Sequence, residues 1–199
     1  MKKFLLITIS LIFFQISSLA VTYNSKPDIF VKELVNDALI ILSDKSTSVE
    51  DKQEAIKKIA IENVDINALG MYTLGEIRKT LEPDKLEKYK KLFEKYFLKS
   101  LTSRLTDYSS DKFEVLEAEQ KSKNYTIVKS KIPENSTKPE IKIDWRIYTK
   151  NPQKPLIRDL IVEGLSLART QKEEFASILN SNNNDISALF TSLENFIAK

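Results

Sequence analysis

Residues 141–148 have the sequence Ile-Lys-Ile-Asp-Trp-Arg-Ile-Tyr, and this stretch decides the fold class of the chain. Apolar side chains alternate with polar or amphipathic ones along its whole length. Successive side chains of a β-strand point to opposite faces of the sheet, so the stretch predicts a strand with one apolar and one polar face. Such a strand is typical of an antiparallel sheet that packs a core on one side and meets water on the other.

The segments on both sides of this strand predict three more strands. Each is a run of apolar and β-branched residues bounded by turn residues such as Asn, Pro and Gly. We expect one strand to begin at Phe113 and Val115, one to span Tyr125–Ile132, and one to span 156–163 and end at Gly164. The short connections between them predict an antiparallel meander of four strands.

A long amphipathic helix is predicted immediately before the sheet. It begins at Pro83, and its apolar residues recur at spacings of three and four over about six turns. The apolar stripe consists of Leu86, Tyr89, Phe93, Tyr96, Phe97, Leu101, Leu105 and Tyr108.

Shorter helices are predicted nearer the N-terminus. One spans residues 27–42 and a second runs through residues 54–62. A third is capped by Asp65 and is expected to end near Gly70. A further short helix is expected around Gly75, where the missing side chain would allow another backbone to approach closely.

Two helices are predicted after the sheet. The sequence Thr-Gln-Lys-Glu at residues 170–173 is a capping box, which predicts the start of the first helix. Asp185 is the expected N-cap of the second. The resulting order of helices, four strands and helices predicts an α+β fold, in which helices cover one face of a four-stranded antiparallel sheet.

The chain of 199 residues contains neither cysteine nor histidine. It therefore has no disulfide, no thiol nucleophile, no imidazole base and no metal site built on thiolate or imidazole ligands. The sequence also has no EF-hand loop and no Gly-rich phosphate loop. We expect no metal and no cofactor, so any catalysis would depend on carboxylate, lysine, tyrosine or serine side chains.

The N-terminus predicts export. Two lysines precede an apolar run from Phe4 to Phe14, and Ser-Leu-Ala at 18–20 provides a small-residue cleavage site. The alternative is a membrane anchor, but the apolar run is short for a transmembrane span. We therefore expect residues 1–20 to be a signal peptide and residues 21–199 to form a single domain in the periplasm.

The charge of the chain is nearly balanced. Its formal net charge is +3, and this falls to +1 when Lys2 and Lys3 leave with the signal peptide. A nucleic-acid-binding domain normally carries a strongly basic patch, so we expect no nucleic-acid partner.

The apolar stripes exceed what one four-stranded sheet needs to cover it. One interpretation is a well-filled core, and the other is incomplete closure that leaves an apolar cavity for a ligand. Periodicity does not distinguish them, because a cavity wall and a core face have the same pattern. The candidate wall residues from the long helix and the sheet are Phe93, Phe97, Leu101, Ile141, Ile143, Trp145 and Ile147.

Asp159, in the middle of the last strand, is the strongest catalytic candidate. A carboxyl group in an apolar cavity would have a raised pKa and would suit a general base. The alternative, which we favour, is an ion pair with Arg146 or Arg158. Ser166 has no identifiable base nearby, so a turn or cap is its expected role. We therefore expect no catalytic residue.

Two motifs and the predicted C-terminal helices form a recognisable set. The first motif is Thr73-Leu-Gly75 with Arg78 and Glu82-Pro83-Asp84. The second is Ile143-Asp-Trp-Arg146 with Arg158-Asp159 and Val162-Glu-Gly-Leu-Ser-Leu167. Together they resemble the MlaC family of periplasmic phospholipid-binding proteins, also called toluene-tolerance auxiliary proteins.

This resemblance implies a nuclear-transport-factor-2-like fold with additional helices and a cavity for phospholipid acyl chains. It adds Leu74, Val162 and Leu165 to the expected cavity residues. It further implies a monomeric carrier that shuttles phospholipid between an outer-membrane lipoprotein complex and the MCE-domain subunit of an inner-membrane ABC transporter, and so maintains outer-membrane lipid asymmetry. The alternatives are another lipid, such as a hopanoid, and a small periplasmic enzyme that uses Asp159.

Overall fold

A computed structural model of the chain describes residues 23–105, 112–136 and 138–199. The predicted signal peptide and Tyr108 lie outside these ranges. Among the described residues, no helix combines the length and the apolar character needed to cross a bilayer.

Along the described chain, helices both precede and follow a single sheet. The helices before the sheet are α1 (Pro27–Ser43), α2 (Val49–Asn63), α3 (Ile66–Thr73) and α4 (Pro83–Leu105), with a short 3-10 helix at Gly75–Lys79. The strands are β1 (Glu114–Ser122), β2 (Tyr125–Ile132), β3 (Ile141–Tyr148), β4 (Leu156–Val162) and β5 (Leu165–Ser166). The helices after the sheet are α5 (Leu167–Ser181) and α6 (Ile186–Ala198).

The sheet is antiparallel throughout, and its strands lie in chain order from β1 to β5. Helix α1 packs on β1 and β2, whereas α3 and α5 pack against β4. On β2 the inward side chains, such as Val128 and Ser130, are buried, whereas Lys129 and Lys131 point outward and are half-buried. The predicted α+β fold and its four-stranded meander are therefore confirmed.

The fifth strand was not expected, because the last strand was predicted to end the sheet at Gly164. Instead, Glu163 and Gly164 form a two-residue turn that returns the chain, so that Val162 pairs with Leu165. Both turn residues have positive φ angles, 49° and 82°. A type I′ hairpin requires positive φ at both central residues, and this turn type matches the twist of the flanking strands.

Helix α5 begins three residues before its predicted capping box, so that prediction is wrong. Its N-cap is Ser166, whose hydroxyl accepts a hydrogen bond from the backbone N–H of Arg169 at 3.0 Å. Thr170 lies inside the first turns, where its hydroxyl donates to the Ser166 carbonyl oxygen. The predicted cap of α6 is confirmed, because the Asp185 carboxylate accepts from the backbone N–H of Ser187 at 2.9 Å.

Two glycines have different roles from those predicted. Gly70 does not end α3 but lies within it, where the ring of Phe93 packs directly on its backbone. A Cβ at this position would lie only 2.8 Å from Phe93 Cδ1. Gly75 has a φ of +67°, and a Cβ there would meet nothing closer than Lys172 Cε at 3.6 Å. The close approach is therefore at Gly70, whereas Gly75 supplies a left-handed backbone conformation.

We expect Gly70→Ala to lower the free energy of unfolding by about 1–3 kcal/mol, the usual cost of overpacking a core. In an unhindered helix, Gly→Ala stabilises by up to about 1 kcal/mol. A decrease in the free energy of unfolding would therefore identify the clash with Phe93. Denaturant titration of Gly70→Ala beside Asn67→Ala, an exposed position in the same helix, measures the effect. Combining Gly70→Ala with Phe93→Leu should restore part of the loss. If Gly70→Ala alone is at least as stable as the wild type, the close packing of Phe93 on Gly70 is contradicted.

The buried apolar residues form two separate clusters. The helical core, formed by α3 to α6 with the adjoining 3-10 segment, is centred on Phe93, Phe175 and Leu189. The sheet core joins α1 to the inward face of the sheet and includes Phe30 and Ile147. Because a domain usually has one main contiguous core, the separation leaves the space between the two clusters to be explained.

Candidate ligand-binding cavity

A cavity of about 440 Å³ lies between the helical core and the sheet core. Phe93, Tyr96 and Phe97 of α4 line it from the helical side, and Trp145 and Ile157 line it from the sheet. The volume falls within the range of roughly 300–1,000 Å³ that small-molecule sites occupy. The excess of apolar stripes noted in the sequence is therefore used, at least in part, as the wall of a cavity.

Helices α1 and α2 supply a large part of this wall. Their lining residues recur at helical spacing and so come from one face of each helix. They are Leu34, Val35, Ala38, Leu39 and Leu42 from α1, and Ile56, Ile59 and Ala60 from α2. The sequence predicted a helix over residues 27–42, but nothing in its periodicity indicated that one face lines a cavity rather than packing in the core.

Six of the ten predicted cavity residues line the cavity. They are Phe93, Phe97, Leu101, Ile143, Trp145 and Val162. The other four lie outside the lining: Leu74 is buried in the helical core, Ile147 is fully buried in the sheet core, Ile141 is half-buried at the start of β3, and Leu165 is 69% exposed on β5. Whether the six bind a lipid stays a prediction.

The indole N–H of Trp145, a residue of the sheet wall, has a hydrogen-bond partner. The indole Nε1 of Trp145 donates to the hydroxyl of Ser130 at 2.9 Å, and that hydroxyl donates to the Ile143 carbonyl oxygen at 2.8 Å. Ser130 is only 1% exposed. Because these groups satisfy one another, Trp145 presents an apolar surface to the cavity without leaving an unpaired buried donor.

The mouth of the cavity is identified by residues that both line it and are exposed to solvent. These are Lys112, just before β1, and Leu167, Thr170 and Glu174 of α5. The three α5 residues are spaced by three and four, so they share one face of that helix. The cavity therefore opens between the start of β1 and the first half of α5.

A polar bridge joins α4 to α5 at the cavity. The hydroxyl of Tyr96 donates to Gln171 Oε1 at 2.7 Å, and the Gln171 amide donates to the Glu174 carboxylate at 2.9 Å. These side chains are satisfied by one another. Within the described ranges, no group of three or more acidic residues is placed to hold a metal ion.

Asp159 is buried, lines the cavity and contacts the start of α5. Its carboxylate accepts hydrogen bonds from the Ser166 hydroxyl at 2.6 Å and from the backbone N–H of Ala168 at 3.0 Å. Arg146 Nη1 lies 3.5 Å from the same carboxylate, which confirms the predicted ion pair with that residue. An anion at a helix N-terminus complements the helix dipole and satisfies a free backbone donor. The contacts give Asp159 and Ser166 a structural role.

Arg158 ties the cavity wall to the start of α3. The register between β3 and β4 shifts at this residue, forming a bulge that re-aims its side chain. The guanidinium donates twice to Asp65 Oδ2, at 2.7 and 2.9 Å, and once to the Tyr125 hydroxyl, while it stacks on Tyr148. Burial lowers the pKa of Arg158, but the hydrogen bonds to Tyr125 and Asp65 outweigh it, so the net shift is upward.

A family model and a solved structure each match most of the chain. A family model described as MlaC protein matches residues 32–195. The structure of a phospholipid-binding protein from Ralstonia solanacearum, solved in complex with a phospholipid, matches with a TM-score of 0.71 and 17% sequence identity. The match covers 88% of this chain and 97% of that one. At this identity the likeness shows a shared fold. No protein with curated annotation matches the chain.

Proposed function

This chain belongs to the MlaC family, and from that premise we propose that it is a periplasmic phospholipid carrier. The observation that carries the proposal is the cavity of about 440 Å³ between the two cores, which is walled by apolar side chains and open beside α5. The phospholipid complex of the Ralstonia protein with the same fold supports the choice of ligand. The predicted signal peptide supports the periplasm as the site of action.

Such a carrier must stabilise acyl chains about as well as the interior of a membrane does. Two acyl chains contain roughly 30 methylene groups, and each costs about 0.8 kcal/mol to expose to water. Free diffusion of the lipid through the periplasm is therefore prohibitive. A wall built from leucine, isoleucine, valine and aromatic side chains offers the chains an environment comparable to the bilayer, so exchange with a membrane is nearly balanced.

The head group would remain at the mouth. Three of the four exposed lining residues there, Lys112, Thr170 and Glu174, are polar, whereas the residues deeper in the cavity are predominantly apolar. A lipid that inserts its chains first would leave its head group in this hydrated region. The carrier would then depend mainly on the chains for affinity and would accept several head groups.

We extend the proposal to the transport route that membership of the family suggests. The carrier would move phospholipid between an outer-membrane lipoprotein complex and the MCE-domain subunit of an inner-membrane ABC transporter. Direction would come from ATP hydrolysis by that transporter, because this chain has no nucleotide-binding motif.

A binding role is favoured over an enzymatic one. The carboxylate of Asp159 already accepts two hydrogen bonds and pairs with Arg146. A general base needs a lone pair directed at a substrate proton. The family and the fold of the Ralstonia protein also support a carrier.

Native mass spectrometry of the mature chain, residues 21–199, tests the proposal directly. We expect a species heavier than the protein by the mass of one phospholipid, either after gentle purification or after incubation with phospholipid vesicles. Lipid extraction should identify the cargo, and a hopanoid in place of phospholipid would change the ligand class. If no lipid-bound species forms even after incubation with vesicles, the carrier function is wrong.

A further inference from the structure

Five lysines form a row along the outer face of α4, which we call the lysine row. Residues three and four apart lie on one face of a helix, and the lysines follow this spacing. The row is about 21 Å long, at 1.5 Å per residue. Its members are Lys85, Lys88, Lys91, Lys95 and Lys99. The buried residues Tyr89 and Phe93 lie on the other side of the helix, so the row faces away from the helical core.

The positive charge of the row is only partly neutralised within the chain. Glu194 of α6 pairs with Lys88 at 3.1 Å. Lys91 and Lys95, in the middle of the row, are exposed. Among the described residues, neither of these two forms an ion pair shorter than 4 Å. The centre of the row therefore presents two adjacent ammonium groups to solvent, one helical turn apart.

The row also concentrates charge in a chain that is nearly neutral as a whole. The mature chain has a formal net charge of +1, and the row contributes +5, so the remaining residues have a net charge of −4. A protein with its charge separated in this way is oriented by a partner of opposite charge before the two make contact. The face that an acidic partner attracts is the outer face of α4.

The surroundings of the row favour a protein over a bilayer as its partner. Helices that bind in a membrane surface bury large apolar side chains at the acyl boundary, besides placing lysines near the head groups. Where the structure describes their side chains, α4 and α6 expose no large apolar residue. A row of carboxylates on a protein can pair with the lysines without any such insertion.

We propose that the lysine row is the docking surface for a partner protein that presents a row of Asp and Glu side chains. The inference rests on the proposed function, in which the carrier passes lipid from protein to protein. Lys95 and Lys99 lie within one turn of Tyr96, whose hydroxyl donates to Gln171 beside the mouth. A partner bound along the row is therefore close to the opening through which the lipid leaves.

Binding of the mature chain to two purified proteins of its own organism, the MCE-domain subunit and the outer-membrane lipoprotein complex, tests the row. We expect at least one of them to bind, and the double variant Lys91→Glu with Lys95→Glu to bind it about tenfold or more weakly, because like charges then face each other across the interface. Raising the ionic strength from about 0.05 M to about 0.3 M should weaken wild-type binding more than binding of the variant.

A matched control separates the row from net charge. Lys150 and Lys154 are exposed in the turn between β3 and β4. Changing both to Glu alters the net charge by the same amount, and this control should bind like the wild type. Wild-type affinity of the Lys91/Lys95 variant, equal weakening in the control, or no binding of the wild type to either protein would each overturn the row as a docking surface.

Two further measurements identify other outcomes. If the wild type binds phosphatidylglycerol vesicles and the Lys91/Lys95 variant loses that binding instead of protein binding, the partner is a bilayer and the proposal is wrong. Native mass spectrometry should show normal lipid loading of the variant, because neither lysine lines the cavity. Failure of the wild type to load lipid, with docking intact, would overturn the carrier function and not the row. If circular dichroism shows misfolding, the variant with Gln at both positions replaces it, with weaker binding again expected.

Discussion

Replacing Val162 with tryptophan should reduce lipid occupancy at least about tenfold while leaving the protein folded. Val162 is half-buried on β4 and lines the cavity beside Ile143. The larger side chain would occupy space that an acyl chain needs. Each displaced methylene group forfeits about 0.8 kcal/mol, so excluding two of them already lowers the affinity by about tenfold. Native mass spectrometry after incubation with vesicles measures the occupancy.

A second substitution enters the same cavity from a helix instead of from the sheet. Ala38 of α1 also lines the cavity, so Ala38→Trp should lower lipid occupancy in the same way. Leu116→Trp, on the exposed part of β1, controls for the added aromatic surface and should keep full occupancy. If Val162→Trp instead keeps its lipid, or loses about 1–3 kcal/mol of stability as an overpacked core would, the space is not an acyl-chain site.

The fold was predictable because its signals lie within short stretches of sequence. These are the alternation of apolar and polar residues in strands and the spacing of apolar residues by three and four in helices. The second strand spans Tyr125–Ile132 as predicted, since both of its faces and both of its ends carry clear signals. The start of α5 was missed because two capping signals, Ser166 and Thr170, compete within one turn. The β4–β5 hairpin brings the buried carboxylate of Asp159 next to Ser166 and Ala168, and its hydrogen bonds to them favour Ser166 as the cap. Sequence spacing alone does not reveal this contact.

The cavity was only partly predictable, for a different physical reason. Tyr89 and Phe97 both belong to the apolar stripe of α4, yet Phe97 lines the cavity and Tyr89 is fully buried in the helical core. The two environments exclude water equally, so they select the same residue types. Whether a position lines the cavity or packs in the core depends on the distance between the helical core and the sheet core. That distance depends on how all the elements pack.

Asp159→Ala should be among the most destabilising single changes in this chain, lowering the free energy of unfolding by about 3–5 kcal/mol, the usual cost of removing one partner from a buried charged cluster. The Asp159 side chain is almost completely buried, and its loss leaves the hydroxyl of Ser166 and the N–H of Ala168 without their acceptor. Arg146 contributes less, because its side chain is 43% exposed and can be hydrated. Denaturant titration measures the change.

Asp159→Asn separates this structural role from catalysis. The amide oxygen can still accept from the Ala168 N–H, and the Ser166 hydroxyl can accept from the new amide group, because a hydroxyl oxygen has two lone pairs. Only the charge at the start of α5 and the ion pair are lost, so we expect a smaller loss of about 1–2 kcal/mol. Asp185→Ala, which removes the exposed cap of α6, should cost less than Asp159→Ala. A general base would behave differently: Asp159→Asn would keep full stability and abolish a turnover. Wild-type stability of both Asp159 variants would therefore show that the carboxylate is retained for something other than the fold.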